Sequence, residues 1–126
     1  MDLLLDTHAF LWWTAVDSRL VEAARAAIAD STNRVVVSAV SVWEISIKRA
    51  SGKLIFGGDI LKVLANTGFD SLDITPPHAD VAGSLPMHHA DPFDRLLIAQ
   101  ARIEGLVLVT QDRHLLPYGV AVLGVT

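Results

Sequence analysis

Cysteine is absent from this chain of 126 residues, which excludes disulfides and thiolate metal sites. Also absent is any run of about 18 uncharged apolar residues, so no membrane span is expected. No basic segment precedes an apolar one at the start, and an acid stands at position 2, so no secretory leader is expected either. Lysine disappears after Lys62. Low-complexity stretches, linkers and internal repeats are missing. Together these absences point to a cytoplasmic protein that forms one domain over residues 1–126. An excess of positive charge is missing too. Ten Lys and Arg against fourteen Asp and Glu leave a formal charge of −4. That counts against a pure nucleic-acid binder, which is usually basic. It leaves room for an enzyme that meets nucleic acid through metal ions, whose charge reverses the local field.

What is present is 52% hydrophobic residue, enough for one substantial core. Leu3-Leu4-Leu5 is apolar without alternation, the pattern of a strand covered on both faces. It ends at Asp6, and a helix begins near Thr7 with Phe10, Leu11, Trp12 and Trp13. Ser18 is expected to cap a second helix carrying Leu20, Ala24, Ala27 and Ile28. Residues 34–38 read as a β-branched strand, residues 40–50 and 59–66 as helices, and residues 69–74 as a weaker strand. Pro76-Pro77 starts a short helix. Asp91-Pro92 opens a strong one that Gly105 stops. Residues 106–109 form a clear strand, residues 111–117 a helical turn and residues 120–125 a last short strand. Strands alternating with helices predict an α/β fold: a central, mostly parallel sheet of about five strands flanked by helices, with right-handed crossovers.

Four acids stand out against this background. Asp6 follows the first strand, and alone it reads as an N-cap. Glu44 interrupts Val40-Ser41-Val42-Trp43-Glu44-Ile45-Ser46-Ile47, where a charge is costly unless paired. Lys48 stands four residues on, in the favoured order for such a pair. Asp94 is the third residue of its helix, where the dipole favours an acid. Beside it, Arg95 could pair with Asp91 or reach a phosphate. Asp112 lies just past a strand and could cap the turn after it, while the Thr110 hydroxyl could orient a carboxylate. A parallel sheet puts its strand C-termini on one edge and starts its helices there. All four acids therefore belong near that edge. Carboxylates so crowded need a counter-charge. Hard divalent ions such as Mg²⁺ or Mn²⁺ prefer oxygen ligands and supply one. The chemistry that uses such a cluster is in-line displacement at phosphorus.

The same residues carry a resemblance. Leu4-Leu5-Asp6-Thr7, Ser41-Val42-Trp43-Glu44-Ile45, the run from Asp91 to Ala101 and Thr110-Gln111-Asp112 resemble the PIN-domain family, and within it the VapC-type toxins of toxin–antitoxin pairs. The resemblance implies a three-layer PIN-like domain and an Mg²⁺-dependent endoribonuclease. Asp6, Glu44, Asp94 and Asp112 would be its catalytic and metal-holding acids, with Thr7, Thr110 and Arg95 in supporting places. It implies a protein antitoxin as partner, through which alone DNA is met, an RNA substrate such as tRNA, and a homodimer.

Other residues are read more plainly. Trp43 is expected in the core, whereas Trp12 and Trp13 point about 100° apart on one helix and cannot both be fully buried. His88-His89 is expected in a solvated loop. Lys48, Arg49 and Lys53 form a modest basic face. A receiver-like phosphoacceptor module would need a late lysine, which is lacking. An aspartyl phosphatase would need an acid two residues after Asp6, where His8 stands. A non-catalytic α/β binding or regulatory module, its acids serving as helix caps, remains open.

Overall fold

Leu3 and Leu5 face one way and Leu4 the other, and all three are fully buried. This is the strand covered on both faces that its composition requires. In the computed structural model, which describes residues 1–125, it forms β1 (Asp2–Leu5). Thr126, the last residue of the expected domain, lies outside the described residues. β1 pairs in parallel with β2 (Arg34–Ser38) on one side and with β4 (Val107–Val109) on the other. β3 (Asp70–Leu72) adds to β2, and β5 (Val122–Leu123) adds to β4, again in parallel. The sheet has five strands in the order β3-β2-β1-β4-β5.

Helices cover both faces, so the expected α/β architecture is the one observed. α1 (Thr7–Thr14), α2 (Glu22–Ala29) and α4 (Ile60–Thr67) pack with Leu3 and Leu5. α5 (Pro76–Ser84), α6 (Pro92–Glu104) and a 3-10 helix (Arg113–Tyr118) pack with Leu4. α3 (Ala39–Ala50) reaches both layers, through Ile45 to the first and Val40 to the second.

Two local expectations need correction. Ser18 caps nothing: α2 begins at Glu22 after Val21, which has no side-chain cap to offer. The Val21 N–H is received instead by Gln111 Oε1 at 2.9 Å. A partner ninety residues away does what a local hydroxyl was expected to do, because Asp17-Ser18-Arg19 is a turn closed by its own ion pair. The edge strands β3 and β5 are also shorter than the expected 69–74 and 120–125, as sheet edges tend to be.

β5 ends at a close approach. Gly124 has φ of +116°, and a Cβ there would lie 2.6 Å from the Thr110 carbonyl oxygen. Only glycine satisfies both the dihedral and the gap. Gly124→Ala is expected to lower unfolding free energy by about 1–3 kcal/mol, measured by denaturant titration. Unchanged stability would show that this end of the sheet moves aside freely.

Candidate active site

The sheet order reverses between β1 and β4, since the chain proceeds outward to β2 on one side and to β5 on the other. Beyond the strand C-termini, such a reversal opens a crevice. The Asp6 N–H donates at 3.0 Å to the carbonyl of Val109, the last residue of β4, carrying the pairing one residue past β1. Asp6 is also the N-cap of α1, its Oδ1 accepting the Ala9 N–H at 2.7 Å. The Thr110 hydroxyl donates to the Asp6 carboxylate and accepts the Asp112 N–H at 3.1 Å. The capping reading of Asp6 is thus correct as far as it goes. It does not describe the electrostatics: burial raises the Asp6 pKa above the usual carboxylate value, Glu44 adds to the rise, and the hydrogen bonds from Thr110 and Ala9 oppose it.

Glu44 is buried on α3, whose first turn Ser38 caps by accepting the Val40 N–H at 3.0 Å. Thr7 Oγ1 lies 2.6 Å from Glu44 Oε1 and 3.0 Å from Ser41 Oγ. Having one proton, Thr7 gives it to the carboxylate and accepts from Ser41. Glu44 Oε2 pairs with Lys48. The two explanations for this acid therefore coexist: it has its lysine, and it still faces other acids.

Asp94 is held from α6, where Asp91 caps the helix through the N–H groups of Phe93 and Asp94. Phe93 meets Trp43 edge-on at 5.0 Å and ties this turn to α3. Burial, helped by the charges of Asp91, Asp6 and Glu44, pushes the Asp94 carboxyl up to about 6, against a hydrogen bond from His89. Asp6, Glu44 and Asp94 thus share one field. Asp112 is held differently. Burial pulls its pKa up, but the backbone N–H and ring of His114, with His89 nearby, hold it below the usual range.

His89 stands between the two groups. Its Nε2 is 2.9 Å from Asp94 Oδ2 and 3.8 Å from Asp112 Oδ2. The expected solvated loop is wrong for this residue, whose backbone and ring are both engaged. Only its place just before the Asp91 cap could have marked it in the sequence. Arg95 turns to backbone carbonyls and not to Asp91. Its buried guanidinium donates to the Ala82, Leu85 and Pro86 carbonyls at 3.0 Å, gathering the segment that leads to His89. Trp43, expected in the core, is 52% exposed, because its helix lies at the end of the sheet and turns that face outward.

The donor set suits a hard divalent ion: three carboxylates in one field, two with pKa values raised by burial and mutual repulsion, relieved by a cation. The donor atoms that converge within 4.8 Å among the described residues are those of His89, Asp91 and Asp94, and those of His89, Asp112 and His114.

The sequence model of the PIN domain matches residues 3–119. The chain belongs to the PIN domain family. It is 34% identical over 116 residues to Ribonuclease VapC22 of Mycobacterium tuberculosis, a match covering 90% of this chain and 88% of that protein. Among solved structures, this PIN domain is similar to the DNA-bound VapBC from Salmonella typhimurium, with a TM-score of 0.67, 16% identity and 98% and 97% of the two chains covered. It is similar also to VapBC2 from Rickettsia felis bound to a promoter DNA fragment, with a TM-score of 0.66, 12% identity and 98% of each chain covered. At such identities the likeness speaks to the fold alone.

The raised carboxyls make the metal-free PIN domain sensitive to pH. A carboxyl whose folded pKa lies above its unfolded one favours the native state at low pH, and the advantage fades as pH rises through the folded value. Stability without metal is expected to fall between roughly pH 4 and pH 7, by on the order of 3 kcal/mol from Asp94, whose carboxyl is pushed up to about 6. Asp94→Asn should flatten that fall and raise the neutral-pH melting temperature. Melting curves in chelator across this range would contradict the crowding if the variant melts lower at every pH.

Proposed function

We propose that this PIN domain is a divalent-metal-dependent endoribonuclease and the toxin of a toxin–antitoxin pair. The observation that carries the reading is the shared field of Asp6, Glu44 and Asp94 at the point where the sheet order reverses. The 34% identity to a protein named ribonuclease VapC22 supports the substrate class. The VapBC complexes of similar fold support a protein antitoxin as partner, and DNA would be met only through it. The working form would be a homodimer in the cytoplasm, and the substrate a cellular RNA such as tRNA.

Asp6, Glu44 and Asp94 would hold Mg²⁺, with Mn²⁺ able to substitute and Asp112 as the fourth acid. Bound there, the cation would offset the acids, accept a phosphate oxygen and acidify a water for in-line attack. The protein's own groups prepare the site. Thr7 holds one oxygen of Glu44 and Lys48 the other. Thr110 steadies Asp6 and, through the Asp112 N–H, the loop after β4. Without a cation the cluster would repel RNA phosphates.

A second reading has its own observation. Asp6, Asp91 and Asp112 all cap helices, as in a non-catalytic module. Asparagine caps about as well as aspartate, so Asp6→Asn separates charge from capping, and Asp94→Asn removes a charge at a position that is not a cap. Each is expected to lower Mg²⁺-dependent RNA cleavage by about 100-fold or more, with the far-UV circular dichroism unchanged, and chelator should abolish wild-type cleavage. Full activity of both variants with Mg²⁺ present would refute the nuclease reading and leave the capping module.

A further inference from the structure

His89 is built into its place more firmly than a loop residue needs to be. The Tyr118 hydroxyl accepts the His89 N–H at 2.9 Å and lies 3.3 Å from the His89 carbonyl. Arg95 Nη1 lies 3.4 Å from that carbonyl and 3.4 Å from the same hydroxyl. Tyr118 and Arg95 are both buried, and Arg95 binds three further carbonyls of the segment leading to His89. The ring is guided as well. It stacks on His114 at 5.7 Å and 15°, beside Asp112. The result is one nitrogen, Nε2, aimed at Asp94 Oδ2 from 2.9 Å.

We propose that His89 is a positioning residue for Asp94: clamped at its backbone by Tyr118 and Arg95, it donates from Nε2 to Oδ2 and so selects the other oxygen of Asp94 as the one offered to a metal ion. Asp112 Oδ2 lies 3.8 Å from the same nitrogen, beyond hydrogen-bond reach, and is held instead by His114. A carboxylate joined through two rotatable bonds to the first turn of a helix has freedom to lose on binding an ion. An outer hydrogen bond removes that freedom beforehand, and loss of such a partner typically weakens metal binding by about 10- to 100-fold. The proposal rests on the metal-dependent reading above.

The test measures Mn²⁺ binding to the purified full chain by calorimetry, with the Mn²⁺ spin-resonance spectrum as a second readout. Asp94→Asn should lose most of the binding. His89→Ala should weaken it about 10- to 100-fold with unchanged circular dichroism. His89→Gln should recover much of the loss, because its amide nitrogen can donate from a similar distance. Tyr118→Phe keeps the imidazole and removes the clamp, so it should weaken binding in the same direction by less, and it covers the case in which His89→Ala misfolds. If Asp94→Asn weakens binding while His89→Ala and Tyr118→Phe match the wild type, the positioning role is overturned. Tighter binding by His89→Ala overturns it also, since the imidazole would then be a competitor of the ion for Asp94. If Asp94→Asn binds Mn²⁺ as the wild type does, the metal reading falls and this proposal with it.

Discussion

The hydrogen bond from the Asp6 N–H to the Val109 carbonyl extends the β1–β4 ladder one residue beyond the end of β1, against the last residue of β4. Through it, the register of a buried parallel sheet becomes the register of the acidic site. Asp6 cannot shift without unpairing strands whose side chains are closed on both faces, and a one-residue slip would turn every leucine of β1 to the wrong side. Thr110, one residue past Val109, is thereby set beside Asp6. Its hydroxyl joins the ends of the two central strands, and its carbonyl is the surface on which Gly124 closes.

On this rigid edge the protein gathers groups that repel one another. Each acid is given a local partner that holds its position without fully cancelling the repulsion. Asp6 has a helix N-terminus and a threonine, Glu44 a threonine and a lysine, and Asp94 an imidazole. The pKa values of Asp6 and Asp94 remain raised despite these partners. Burial decides the sign, since each carboxylate has lost more hydration than its hydrogen bonds return. A site with capping as its whole purpose would put its acids at exposed helix ends, where solvent screens them. Asp59, exposed at the start of α4, shows what that looks like in the same chain.

The supporting shell is as ordered as the acids themselves. Arg95 gathers three carbonyls, Tyr118 brackets the His89 peptide groups, and Gln111 ties the loop after β4 to the start of α2. Bonds of this kind link segments distant in the chain and leave donors and acceptors satisfied in places that regular secondary structure does not reach. They make the loops at the C-terminal edge of the sheet part of the scaffold.

Much of this protein is legible from the order of its residues. Strands without alternation, helices opened by Asp-Pro and closed by glycine, and acids placed just past strands all follow from local periodicity and capping chemistry, which depend on near neighbours. Parallel pairing then implies a common edge for Asp6, Glu44, Asp94 and Asp112. What the chain order could not reveal was how that edge is shared out. The turn of Arg95 inward to carbonyls, the exposure of Trp43 and the place of His89 between Asp94 and Asp112 each depend on how the packed segments meet. Side-chain direction at a loop or helix end is set by whichever partner the packed fold brings within about 3 Å, and no spacing in the sequence records that choice.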